Sequence, residues 1–125
     1  MSSTARRFGG VVQGGIAFAS SVTVNISSDT DDLVVPDLEN TVEIRLNVTG
    51  NRTLTGIVPF DDTLAQWITI FNVGTGNLSL KNNNVGSSAN NRFLLGANKT
   101  VQSDEGVSFI YDDQDKRWRS FGINI

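Results

Sequence analysis

The chain has 125 residues, of which 38% are hydrophobic and only 18% charged. That length suits one domain and leaves little room for two. It contains neither cysteine nor histidine, which excludes a disulfide framework, a thiolate nucleophile, an imidazole metal site and a histidine-based triad. Residues 1–62 hold 4 basic and 8 acidic side chains and residues 63–125 hold 6 and 5, for a net charge of −3 and no basic footprint for nucleic acid. No run approaches the roughly 18 apolar residues of a membrane span. No phosphate loop, nucleophile elbow or other cofactor motif is present.

What polarity there is comes mostly from uncharged side chains: 13 Asn, 12 Ser, 11 Thr and 12 Gly. Such a composition disfavours a helical bundle and favours short strands joined by tight turns. Residues 1–19 stand apart from the rest. Arg6 and Arg7 precede an apolar stretch, but Gln13 and four glycines make it a poor export core. Gly9, Gly10, Gly14 and Gly15 loosen the segment, while Phe8, Val11, Val12, Ile16 and Phe18 are too apolar for an idle tail. A flexible arm with spaced apolar anchors suits docking on another subunit. The alternatives are that it lies on its own domain or takes no fixed position.

Residues 20–125 read as the folded domain. Val22, Val24 and Ile26 alternate with Thr23 and Asn25, the pattern of a half-buried strand. Val42, Ile44, Leu46 and Val48 alternate with Glu43, Arg45 and Asn47 in the same way. Gly50-Asn51 marks a turn, and Leu54 to Val58 a strand that Pro59 ends. Asp61 to Gln66 suits one helical turn. Trp67 to Val73 carries apolar residues on both parities, which predicts a central strand covered on both faces. Gly74-Thr75-Gly76-Asn77 reads as a hairpin loop. After the polar loop Lys81–Asn91, further strands are expected at Arg92–Leu95, Thr100–Gln102, Val107–Tyr111 and Arg117–Ile123. No internal repeat stands out. The expected fold is all-β: one antiparallel sandwich or barrel, of jelly-roll or tulip-like type, behind an N-terminal arm.

Three kinds of residue could carry chemistry. Asp29, Asp31 and Asp32, and again Asp112, Asp113 and Asp115, are clustered like calcium ligands but lack EF-hand spacing. Turn carboxylates that bond nearby backbone N–H groups explain them better. Asp61-Asp62 and Asp104-Glu105 are adjacent, and neighbours on a strand point to opposite faces, so neither is a ready acid–base pair. Trp67, Phe71, Phe93, Phe109, Tyr111, Trp118 and Phe121 could form a sugar platform. Since most lie within apolar strands, core packing is the stronger expectation. Arg117 and Arg119 are expected to face solvent or a subunit contact.

From Trp67 onward the chain resembles a module of tailed-bacteriophage virion proteins, found in capsid decoration (cement) proteins and in tail- or fibre-associated proteins. The resemblance runs through Ile68-Thr69-Ile70-Phe71-Asn72-Val73-Gly74 and Asn77-Leu78-Ser79-Leu80-Lys81-Asn82. It continues through Ala89-Asn90-Asn91-Arg92-Phe93 and ends on Val107-Ser108-Phe109-Ile110-Tyr111-Asp112, a short gap and Arg117-Trp118. It implies that Trp67, Asn72, Asn91, Arg92, Tyr111, Asp112, Arg117 and Trp118 maintain fold and loop geometry. A hairpin across Asp113–Lys116 would bring Tyr111 near Trp118, and Asn91-Arg92 would tie the polar loop to backbone carbonyls. The leading functional expectation is a non-enzymatic capsid decoration protein on the outer surface of the virion. It would form homotrimers and bridge major capsid protein subunits, without cofactor, nucleic acid or membrane. The alternative is a tail-tip or fibre adhesin that binds a host glycan or surface protein.

Overall fold

The computed structural model describes residues 20–121. The proposed docking arm, with Arg6, Arg7, Phe8, Val11, Val12, Ile16 and Phe18, lies outside the described residues. Nine strands follow one another: β1 (Val22–Ile26), β2 (Glu43–Val48), β3 (Arg52–Leu54), β4 (Trp67–Asn72), β5 (Leu78–Leu80), β6 (Phe93–Leu94), β7 (Lys99–Val101), β8 (Gly106–Asp112) and β9 (Arg117–Phe121). They form a six-stranded sheet in the order β1-β2-β4-β8-β9-β6 and a three-stranded sheet in the order β3-β5-β7. The two sheets contribute to one core, which includes Ile44, Leu46, Ile68, Ile70, Leu54, Leu78 and Leu80.

The all-β expectation holds, but the antiparallel one does not. Among the described residues, β1/β2, β2/β4, β3/β5 and β6/β9 pair parallel, and β4/β8, β5/β7 and β8/β9 antiparallel. The first part of the domain is a short solenoid. Each coil runs up one strand of the large sheet, turns through an arch, and continues in the small sheet before crossing back. Val22 lies beside Ile44, and Ile44 beside Ile70. Thr30 lies beside Leu54, and Leu54 beside Leu80. Leu33 bridges Ile57 in parallel as well. The structure therefore contains an internal repeat, conserved in the kind of layer rather than in residue identity. Period-two alternation is the same in parallel and antiparallel strands, so the pattern could not tell them apart.

Gly74–Asn77 is accordingly no hairpin. It carries the chain from β4 in one sheet to β5 in the other. Arches stack through backbone bonds: Thr49 N–H donates to Ile26 O (3.0 Å) and Gly76 N–H to Val48 O (3.0 Å). A Cβ on Gly74 would overlap the Val48 backbone, and one on Gly76 the Gly50 carbonyl, so this arch admits only glycine at both places. The buried Asn72 locks it. Its amide donates to Gly76 O (2.8 Å) and Val101 O (3.0 Å), and its carbonyl accepts from Gly74 N–H (3.0 Å).

The carboxylates of the first arch reach further than a local turn requires. Asp29 accepts from Thr53 N–H (3.0 Å) and Asp31 from the Thr55 hydroxyl (2.6 Å). Asp32 accepts from Ser88 N–H (2.8 Å) and the Asn91 amide (2.8 Å). They staple one coil to the next and to the Asn-rich loop, which corrects the expectation that they serve their own turn. The buried Thr55 and Ser87 hydroxyls share a bond of 2.6 Å beneath them.

Two outcomes follow. Asn72→Ala removes three buried side-chain hydrogen bonds to the backbone of the arch and of β7, and should cost about 2–4 kcal/mol in urea unfolding. The Asn91 hydrogen bond, above all, holds the Asp32 carboxyl below its usual value. With a depressed folded value, this contribution is complete above about pH 4 and is lost as the pH falls through the folded pKa. Comparing urea midpoints at pH 7 and pH 3 should therefore show a smaller acid loss in Asp32→Asn than in the parent chain.

Candidate binding face

The strands of the large sheet bury alternate residues against the core and turn the others outward. On β4, Ile68, Ile70 and Asn72 are buried, whereas Trp67, Thr69 and Phe71 face out. The expectation that this strand is covered on both faces is thus corrected. Four large apolar side chains stand exposed on or beside it: Trp67 at 49%, Phe71 at 36%, Ile110 at 44% and Phe121 at 43%.

Register brings them together. Trp67 is opposite Ile110 across the β4/β8 ladder, and Phe121 is opposite Ser108 across β8/β9. Trp67 and Phe121 meet edge to face, with ring centroids 6.1 Å apart. Phe71 is opposite Gly106, and its ring lies where a Cβ on Gly106 would be, 2.6 Å from Cδ1. Between the rings, the Thr69 and Ser108 hydroxyls bond each other at 2.8 Å. Contiguous exposed apolar area of this kind marks a binding surface more often than chance.

Polar groups rim the aromatics. On one side, Glu43, Arg45, Phe71 and Asp104 line an open recess of about 260 Å³. On the other, Arg119 bonds Asp112 (2.7 Å) and Asp115 (2.7 Å). The Arg119 hydrogen bond, first of all, lowers the Asp112 pKa, and Asp112 in turn raises that of Arg119. Both groups stay charged at neutral pH, so the rim offers fixed donors and acceptors.

Of the other residues singled out by the resemblance, Tyr111 and Trp118 lie behind this face, and the rest hold loops and turns. Tyr111 and Trp118 pair across β8/β9 with centroids 4.9 Å apart, both buried. The Trp118 indole N–H donates to Ile57 O (2.8 Å), and the Tyr111 hydroxyl to Asn90 O (2.6 Å). Burial, chiefly, pushes that hydroxyl up to about 12, so it remains a donor. Arg92 bonds Ser87 O (2.9 Å), a backbone carbonyl, while the Asn91 amide goes to the Asp32 carboxylate instead. Asp112 also closes its own turn through Gln114 N–H (3.0 Å) and Asp115 N–H (3.1 Å), and Arg117 reaches Asn83 Oδ1 (3.1 Å).

Of the seven aromatics considered as a platform, Phe93, Phe109, Tyr111 and Trp118 belong to the core, and Trp67, Phe71 and Phe121 to the outer face. The parity of Trp67 and Phe71 against Ile68 and Ile70 was the available signal. Among the described residues, no group of three or more Asp, Glu, His or Cys side chains could hold a metal ion. No described helix is long and apolar enough to cross a membrane.

Residues 19–119 match the family model of the phage depolymerase C-terminal β-sandwich domain. No curated protein and no solved structure matches the chain. Both branches of the resemblance anticipated a phage virion protein. The match favours the tail-associated branch and gives no specific support to capsid decoration. With most of its length covered by that model, the chain belongs to the phage depolymerase C-terminal β-sandwich domain family, a module of tail-associated phage proteins.

Proposed function

We propose that this domain is a non-catalytic module through which a phage tail fibre or depolymerase holds a host-surface glycan on the outer face of its six-stranded sheet. The observation that carries this reading is the joint exposure of Trp67, Phe71 and Phe121 on one rigid sheet face. A pyranose ring has an apolar C–H face and a polar rim. Aromatic rings match the first, and Arg45, Glu43 and Asp104 beside Phe71 match the second. Strands hold these groups in place before the ligand arrives, which limits the entropy lost on binding.

The acidic pairs support a binding role over a hydrolytic one. Asp61 caps Thr63 N–H (2.9 Å), Asp62 faces Lys116 (3.7 Å), and Glu105 accepts from Gln102 N–H (2.8 Å). They close turns and loops. In this reading, cleavage of the polymer belongs to other parts of such proteins. Presentation as a homotrimer would repeat the face and add avidity without new contacts.

The test is retention of the full chain on host cells and on purified host polysaccharide, with purified phage heads as comparison. Trp67→Ala combined with Phe121→Ala should weaken polysaccharide binding about tenfold or more, equivalent to about 1.4 kcal/mol. The thermal midpoint should hardly move, since both side chains lie outside the core. Affinity for heads with none for cells or polysaccharide would replace this reading with capsid decoration on the major capsid protein.

A further inference from the structure

Strand register fixes where each outward side chain of the large sheet stands, and together they outline a trough. Its middle row runs Glu43, Thr69, Ser108 and Phe121 across β2, β4, β8 and β9. The row to one side holds Arg45, Phe71 and Gly106, and the row to the other Trp67, Ile110 and Arg119. Short hydroxyls floor the middle, where Thr69 and Ser108 bond each other at 2.8 Å. Exposed apolar side chains stand at both ends along β4: Phe71 at one, Trp67 with Ile110 at the other. Phe121 closes the β9 flank and meets Trp67 with ring centroids 6.1 Å apart. Gly106 seats the far end. A Cβ there would lie 2.6 Å from Phe71 Cδ1 and 2.8 Å from Cε1, so its absence lets that ring settle over β8.

Trp67 and Phe71 are four residues apart on one strand, a separation of about 13 Å at the usual strand rise. A pyranose ring with its glycosidic oxygen, built from bonds of about 1.5 Å, advances a chain by about 5 Å. One sugar cannot reach both aromatic ends, whereas three in line can. The charges of the face are already compensated. Arg45 shares its recess with Glu43 and Asp104, Arg119 holds Asp112 and Asp115, and Arg117 lies opposite Asp112. A carboxylate on every repeat of a polymer would meet these acidic groups with no guanidinium clear of them. Neutral hydroxyls instead accept from Arg45 and donate to Glu43 and Asp104. Resting on the glycan reading of this face, we infer that its ligand is a linear neutral glycan laid along β4. At least three sugar residues are engaged. The outer two stack on Phe71 and on the Trp67–Phe121 pair, and the middle one lies over Thr69 and Ser108.

The full chain is titrated calorimetrically with fragments of increasing length, from disaccharide to hexasaccharide, sized from a partial hydrolysate of purified host polysaccharide. The same fragments with their primary hydroxyls oxidised to carboxylates form the charged series. Affinity should climb about tenfold or more from disaccharide to tetrasaccharide and then level off. Phe71→Ala should weaken the tetrasaccharide about three- to tenfold, the worth of one aromatic contact, and leave the disaccharide, seated on Trp67 and Phe121, within about twofold. Gly106→Ala keeps the Phe71 ring but displaces it, and should follow Phe71→Ala. Oxidised fragments should bind about threefold more weakly, or worse, at low salt. Equal affinity for disaccharide and tetrasaccharide, with Trp67→Ala still weakening both, would overturn the span and leave the glycan-binding face standing. Tighter binding of the oxidised fragments, or a bound host polysaccharide that carries a carboxylate on every repeat, would overturn the neutral class alone. Fragments and polysaccharide that are not bound, or are bound alike by the parent and all three variants, would remove this face as the site and the span with it.

Discussion

Stacking of successive coils in register is the constraint on which the rest of the domain depends. Ile44 occupies its layer because Val22 and Ile70 lie on either side, and Leu54 because Thr30 and Leu80 do. Each layer is hydrogen-bonded to the next, so an error in one arch would displace every layer beyond it. That explains why the tightest features sit at the arches. Gly74 and Gly76 admit no Cβ, and Asn72 bonds three backbone groups buried at the arch. The Asn-rich loop closes the other side of the second coil through Asn91, whose carbonyl accepts from Ile57 N–H (2.9 Å) and whose amide holds Asp32.

The same geometry separates core positions from surface positions. With a side-chain period of two, each strand of the large sheet gives half its residues to the core and half to the surface. β4 shows the division most plainly. Ile68, Ile70 and Asn72 fix the fold, and Trp67, Thr69 and Phe71 are left for contact with something else. Side chains on the outer face can therefore change without disturbing the layers behind them. Tyr111 and Trp118 show the converse. They are large aromatics committed to the interior, where each satisfies its polar atom on a backbone carbonyl.

Much of this was legible in the residues themselves. Alternation located β1 and β2, strands were expected where β8 and β9 lie, and the Tyr111–Trp118 pairing followed from the turn between them. What alternation could not reveal was direction. Strand residues look alike whether the chain returns beside itself or crosses to the opposite sheet, and Gly-Thr-Gly-Asn suits an arch as well as a hairpin. The stapling role of Asp29, Asp31 and Asp32 was hidden for a related reason: their partners are 24 or more residues away. The outer aromatics were partly visible. Counting hydrophobicity alone made β4 look buried on both faces, whereas separating its residues by parity leaves Trp67 and Phe71 together with the polar Thr69. Asn72 stood on the apolar parity of that strand, and a polar residue there already signalled a buried hydrogen-bonding task.

The uneven composition also finds its cause in the stack. Parallel coils place like positions side by side, and short neutral polar side chains can then bond from one layer to the next without the desolvation cost of charge. Asn25 and Asn47 do so on the outer face at 3.1 Å. A chain built this way needs Asn, Thr and Ser where a helical protein would carry Lys and Glu. β4 lies where the parallel stack ends, since it pairs parallel with β2 and antiparallel with β8. At that seam the layer-to-layer repetition no longer dictates the outer side chains. Phe71 settles over Gly106, and Trp67 reaches Phe121 diagonally across β8, so the aromatic face arises where the repeat stops imposing its polar ladder.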